Sequence, residues 1–174
     1  MMLKSLYDKS NGSVLLSSLW FQILWFFAVI GREDTLFWLM SGSLITLIYC
    51  VYEEAQKLKL VIAISSVGIV IDFLNWQTGL FTFSSDAFPV WLLLLWGLFG
   101  WYAVQMTAIV NRTPRYLVLT LVSVSGGLSY FAGQRLGAVE WTFGVPLTLS
   151  VLFLEWFLLA YFVTTLLSSR WGKL

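Results

Sequence analysis

Two carboxyl-bearing residues stand inside apolar runs: Asp72 in Ile71-Asp72-Phe73-Leu74-Asn75-Trp76, and Glu155 in Phe153-Leu154-Glu155-Trp156-Phe157. An ionisable side chain within a membrane span costs about 2.5–3.5 kcal/mol on insertion scales, so each needs a partner or a purpose. Two carboxyl groups sharing a low-dielectric cavity can hold different protonation states, which makes an acid and a base without histidine. Such a pair can protonate an alkene, move a double bond or hydrolyse a buried ester, and it can equally grip a cationic or hydroxylated solute. Asp72 and Glu155 are therefore the catalytic candidates. Asn75 lies one helical turn from Asp72 on the same face, and Tyr130, Gln134 and Arg135 fall in the outer half of a later apolar run. These four are the candidates for orienting a substrate. A structural role competes with this one: Asp72 pairs with Arg135, Glu155 is protonated or bonds to Tyr130 or Gln134, and the cluster sets helix register. Glu140, near an outer loop, is read as snorkelling to the surface.

Other chemistry is excluded by composition. Histidine is absent, and the single cysteine, Cys50, sits in an apolar run and reads as small core filler. That removes intrachain disulfides, thiolate metal sites and imidazole triads, so no metal and no cofactor is expected. No basic block or Arg-rich arm appears in a chain of net charge +1, which leaves nucleic acid without an electrostatic footprint.

The elements that hold these residues are apolar helices. The chain has 174 residues, 59% hydrophobic and 11% charged, far from the composition of a soluble domain. Ten of its residues are Trp, a type that collects at membrane interfaces. Apolar runs at residues 13–30, 35–52, 58–83, 89–110, 116–137 and 145–168 each approach the roughly 17–25 residues that cross a bilayer. The expected fold is all-α: one domain over 1–174, a bundle of six transmembrane helices. Lys4, Lys9, Lys57, Lys59, Arg112, Arg115, Arg170 and Lys173 then share one side, against Arg32 and Arg135 on the other. This bias places both termini on the cytoplasmic side of an inner membrane. The lysines ahead of the first run resemble a signal peptide, but the run is long enough to span and its exit at Gly31-Arg32-Glu33-Asp34 has no cleavage pattern, so it is read as a retained span.

A rise of 1.5 Å per residue puts Asp72 roughly 12–16 Å and Glu155 about 13–15 Å from the outer ends of their helices. A polar cavity among helices three, five and six is expected in the outer half, opening outward or sideways into the outer leaflet. Ser125, Ser129, Gly133 and Gly137 recur every four residues, a ridge that admits a neighbouring helix or, as a flat face, a lipid tail or isoprenoid chain. Pro89 and Pro146 fit the first turns of helices four and six. Asn111-Arg112-Thr113 matches a glycosylation pattern by chance, since Pro114 follows and the segment is cytoplasmic. No repeat of the inverted-transporter kind is visible.

Two segments carry a family resemblance. Asp72-Phe73-Leu74-Asn75-Trp76-Gln77-Thr78-Gly79-Leu80-Phe81-Thr82-Phe83, followed by Pro89-Val90-Trp91-Leu92 and Leu95-Trp96, resembles a small bacterial inner-membrane family known as a domain of unknown function. Gly126-Gly127-Leu128-Ser129-Tyr130-Phe131-Ala132-Gly133-Gln134-Arg135-Leu136-Gly137-Ala138-Val139 resembles it too, with Gly127 where the family shows Pro, a departure that frees the backbone there. The resemblance implies a polytopic membrane protein often encoded beside lipid-modifying enzymes, such as methyltransferases like cyclopropane-fatty-acid synthase and flavin-dependent oxidoreductases. It implies no activity of its own.

The leading expectation is a protein that binds or modifies an acyl or isoprenoid chain in an intramembrane polar cavity, with the bilayer and a lipid as its partners. A solute-binding or transport subunit of a larger complex is the second, and a structural or assembly protein the third. A partner membrane protein or a homo-oligomer is compatible with each.

Overall fold

A computed structural model describes residues 2–53, 55–85 and 87–168, with side chains from residue 12 onward. The basic positions Lys4, Lys9, Arg170 and Lys173 of the charge count lie outside the described side chains. Seven helices form among the described residues: α1 (Met2–Phe26), α2 (Leu36–Glu53), α3 (Leu58–Gln77), α4 (Val90–Gln105), the single turn α5 (Thr107–Val110), α6 (Arg115–Arg135) and α7 (Val145–Ser168). Five stretches are long and apolar enough to cross a membrane: Gly12–Gly31, Leu36–Glu53, Ala55–Gln77, Arg115–Arg135 and Val145–Ser168. The expected fourth span is split. α4 is apolar but only 16 residues long, about 24 Å, and the chain breaks at Met106 before α5.

The expected third span is shorter at its far end. Gly79 adopts φ +75°, and the amides of Gly79 and Leu80 bond back to the carbonyls of Trp76 and Asn75, which closes α3 at Gln77. α6 ends the same way: Gly137 has φ +73°, and the amides of Gly137 and Ala138 reach Gln134 and Gly133. After each glycine the chain turns inward. Phe81–Thr82 (β1) then pairs antiparallel with Glu140–Trp141 (β2), Phe81 opposite Trp141 and Thr82 opposite Glu140. This ribbon is the one departure from the all-helical expectation among the described residues. Apolar Leu80 and Phe81 read as helix in the sequence because periodicity cannot separate a buried loop from a span.

The core is apolar, but the exterior is apolar as well, unlike that of a soluble protein. Leu15, Phe37 and Tyr52 are 70%, 72% and 82% exposed, while Asp72, Asn75, Thr46, Ser65, Ser123 and Thr148 are buried. An apolar exterior of this extent is stable against hydrocarbon and not against water.

Glycines set the closest helix contacts. A Cβ on Gly68 of α3 would meet the Trp96 indole of α4, and one on Gly100 would meet Ser65, whose hydroxyl donates to the Trp96 carbonyl at 2.9 Å. Gly126 and Gly127 seat α6 on Trp156 and Phe153 of α7. Gly127 is therefore held by close packing, not freed by the loss of proline. The Ser125–Gly137 ridge points elsewhere, toward α1. There Trp25 Nε1 donates to Ser129 Oγ at 3.0 Å, and Arg32 Nη1 donates to the Gly137 carbonyl at 2.6 Å.

These contacts sort the connections. The α1–α2, α3–α4 and α6–α7 connections meet at one end through Arg32, Gly137 and the ribbon. At the other end Arg115, at the start of α6, donates to Thr165 near the end of α7. They are called below the Arg32 end and the Arg115 end.

Candidate functional site

α6 packs on α7, α7 on α3, α3 on α4, and α4 on α1 and α2. α1 and α6 meet at the Arg32 end and leave a cavity of about 730 Å³ between α1, α4, α6 and α7. Val118 and Gly133 of α6 both line it, so it runs at least 15 residues, about 22 Å, along that helix. The wall is aromatic and aliphatic, with Phe21, Trp25, Phe99, Tyr102, Leu159 and Val163 among its members, and it carries no charged side chain. Phe81, Phe83, Ala138 and Val139, brought in by the ribbon, close it at the Arg32 end.

The candidate residues gather on the far side of one wall of this cavity. Asp72 is 1% exposed, and its Oδ2 accepts hydrogen bonds from Trp96 Nε1 at 2.6 Å and from the Tyr130 hydroxyl at 2.5 Å. Three helices, α3, α4 and α6, are thus tied through one oxygen. Asn75 Nδ2 donates to Glu155 Oε2 at 2.9 Å, tying α3 to α7. Asp72 and Glu155 both face a void of about 10 Å³, the room one water requires. Tyr130, Trp96 and Trp156 line this void and the large cavity alike, so they form the partition between them. Tyr130 stacks on Phe81 at 5.4 Å between ring centres, and Trp96 stacks on Trp156 at 5.8 Å.

Asp72, Asn75, Tyr130 and Glu155 are therefore brought together, and Gln134 and Arg135 are not part of their hydrogen bonds. Arg135 is exposed at the end of α6, with its guanidinium 5.7 Å from the Phe131 ring centre. Gln134 is half-buried, and its Oε1 has no hydrogen-bond partner among the described residues. The large cavity also differs from the expected one: α1 and α4 replace α3 in its wall, and Asp72 reaches it only through the side chains of Tyr130 and Trp96. Because α3 stops at Gln77, Asp72 lies five residues, about 7.5 Å, from that helix end and not 12–16 Å. Glu155, ten residues into α7, stays near 15 Å. The two meet because α7 begins beyond the end of α3, and the ribbon packs along that extension, Phe81 and Val139 against Leu152.

Trp96, Trp156 and Phe81 were not among the sequence candidates. A signal existed for Trp96. A tryptophan in the middle of a span, away from the interface where the residue collects, must find a buried acceptor for its N–H.

Apolar helices long enough to cross a bilayer, an exterior of exposed apolar side chains and a buried polar cluster define a multi-pass helical membrane protein. Within that class the chain belongs to a family described as protein of unknown function (DUF2878), whose model matches residues 14–162 and bears out the resemblance read from the two motifs. No curated protein and no solved structure matches the chain.

Proposed function

We propose that this protein holds a lipid chain, acyl or isoprenoid, in the cavity between α1, α4, α6 and α7. One observation carries the reading: a cavity of about 730 Å³ with an uncharged wall of aromatic and aliphatic side chains, extended along α6. Its volume falls within the roughly 300–1,000 Å³ of small-molecule sites. Its length exceeds one leaflet's half of a hydrocarbon core about 30 Å thick. In this reading α4 and α5 together complete a sixth span, and the Lys57, Lys59, Arg112 and Arg115 side faces the cytoplasm of a bacterial inner membrane.

Binding has more support than chemistry, because Asp72 and Glu155 do not line the cavity. If a bond is changed, Tyr130 is the residue of the cluster's hydroxyl–carboxyl pair that lines the cavity, with Asp72 behind it as the proton reservoir and Glu155 beyond.

Native mass spectrometry of protein extracted gently from its own membrane tests the reading. The expected result is a retained apolar adduct of defined mass, lost in Ser125→Phe, whose ring would enter the cavity without touching the Asp72 cluster. An adduct retained equally by that variant, or none in the parent, would overturn it. Asp72→Asn, which keeps an acceptor for Trp96 and Tyr130, is expected to leave protein abundance intact and to alter the lipid profile only if the cluster does chemistry.

A further inference from the structure

Resting on the reading of this cavity as a lipid site, we infer that its occupant is an uncharged lipid carrying a hydroxyl or carbonyl oxygen, taken in whole through a lateral slot between α1 and α6.

The slot follows from which wall residues are exposed. Gln22 on α1, and Ser125 and Leu128 on α6, line the cavity and are also exposed, and they stand on the two helices that part below their joint. Above them the joint is closed by the Trp25–Ser129 and Arg32–Gly137 hydrogen bonds and by the ribbon. The opening therefore faces hydrocarbon at mid-bilayer and toward the Arg115 end. It does not face the outer leaflet, where the sequence alone placed it.

The polar groups of the wall define the ligand's oxygen. Gln22 is nine residues from Gly31, Ser125 ten from Arg135 and Tyr102 twelve from Val90, which puts all three roughly 13–18 Å from the Arg32 end. Ser18, one turn from Gln22, lies with its hydroxyl 3.3 Å from that of Tyr102. The Gln22 amide, with two donors and an acceptor, takes part in none of the hydrogen bonds among the described residues, although it is exposed mid-way along α1, at a depth where a bilayer offers no water. An amide in that position is costly unless a partner arrives from within the membrane. A hydroxyl or carbonyl supplies that partner. An ionised carboxylate or phosphate finds no countercharge anywhere on this wall, and a headgroup that must stay in water cannot follow its chain to this depth.

Tryptophan quenching in the intact, detergent-solubilised protein reads this directly, since Trp25, Trp91, Trp96 and Trp156 line the cavity. The probes are a C16 alcohol, a C16 alkane, a C16 carboxylate at pH 9 and a C16 lysophosphatidylcholine, each brominated in the chain. The alcohol should quench saturably and bind about tenfold or more tighter than the carboxylate or the lysophospholipid. Gln22→Leu should weaken the alcohol by roughly three- to tenfold and leave the alkane unchanged. Carboxylate or lysophospholipid binding as tight as the alcohol, or equal binding of alcohol and alkane to the parent, would overturn the inference while leaving the lipid reading intact. If no probe quenches saturably and Ser125→Phe changes nothing, the lipid reading itself fails.

Discussion

The Tyr130 hydroxyl donates to Asp72 Oδ2 at 2.5 Å while the Tyr130 ring forms part of the wall of the large cavity. One side chain thus belongs to both compartments. Whatever occupies the cavity is linked to the buried carboxyl group through this phenol and through the Trp96 indole, and any change in the phenol's position is felt by the oxygen that also holds Trp96.

Removing the hydroxyl isolates that contact. Tyr130→Phe should fold, keep the stacking on Phe81 and lose about 1–3 kcal/mol of stability, because Asp72 keeps only one of its two donors. In a double-mutant cycle read by thermal unfolding, the same change should cost markedly less in Asp72→Asn than in the parent. Additive costs would mean that the short contact carries no coupling.

The approach of α3 to α4 rests on Gly68. Gly68→Ala drives a methyl into the Trp96 indole, so a loss of about 1–3 kcal/mol and a changed Trp96 environment are expected. Gly97→Ala, on the same helix as Trp96 but with nothing within 4 Å of a new Cβ, should be neutral or stabilising by roughly 0.5–1 kcal/mol. Equal damage from both would show that the site is not tightly packed.

At the closed end of the α1–α6 joint, a Cβ placed on Gly133 would lie 3.9 Å from Val29 Cγ1. Val29→Cys with Gly133→Cys, in a Cys50→Ser background, should form an intramolecular disulfide under mild oxidation, visible as a mobility shift on a non-reducing gel. Because the slot lies below this point, the cross-linked protein should still exchange its bound lipid. Exchange blocked by the cross-link would place the entrance at the Arg32 end.

Ser85 and Asn111 are exposed at opposite ends of the bundle. Single cysteines introduced there as Ser85→Cys and Asn111→Cys, again with Cys50→Ser, should differ in labelling of intact cells by an impermeant maleimide, with Ser85→Cys labelled and Asn111→Cys protected. Labelling of both from outside would contradict a bundle in which the α3–α4 and α5–α6 connections lie on opposite faces. Labelling of Asn111→Cys alone would reverse the proposed orientation.

How far the sequence could be read depended on which force decided each feature. Five apolar runs correspond to helices that can cross a membrane, because hydrocarbon length is a one-dimensional quantity that a run of residues either meets or does not. The third run overshot to residue 83. Leu80 and Phe81 are apolar because the ribbon plugs the bundle with them, and hydropathy does not separate a plug from a span; Gly79, the residue that ends the helix, was the available clue. Asp72 and Glu155 stood out from the cost of ionisable groups in hydrocarbon, and Asn75 followed from the helical turn it shares with Asp72. Tyr130, Gln134 and Arg135 came together from the outer half of one apolar run; of these Tyr130 bonds to Asp72, while Gln134 and Arg135 at the end of α6 take no part in the cluster's hydrogen bonds. Trp96 escaped because an apolar ring in an apolar run draws no notice until its N–H is counted.

By itself the sequence determined the solvent, the main helices and the polar residues that needed an account, since each of these follows from what a single segment costs in a bilayer. Only the tertiary structure decided which of those residues meet, that Tyr130 stands between Asp72 and the cavity, and that the Ser125–Gly137 ridge faces α1 while Gly126 and Gly127 seat α7. Those outcomes depend on helix rotation and offset. They are set by close packing among several helices at once, which no single segment contains.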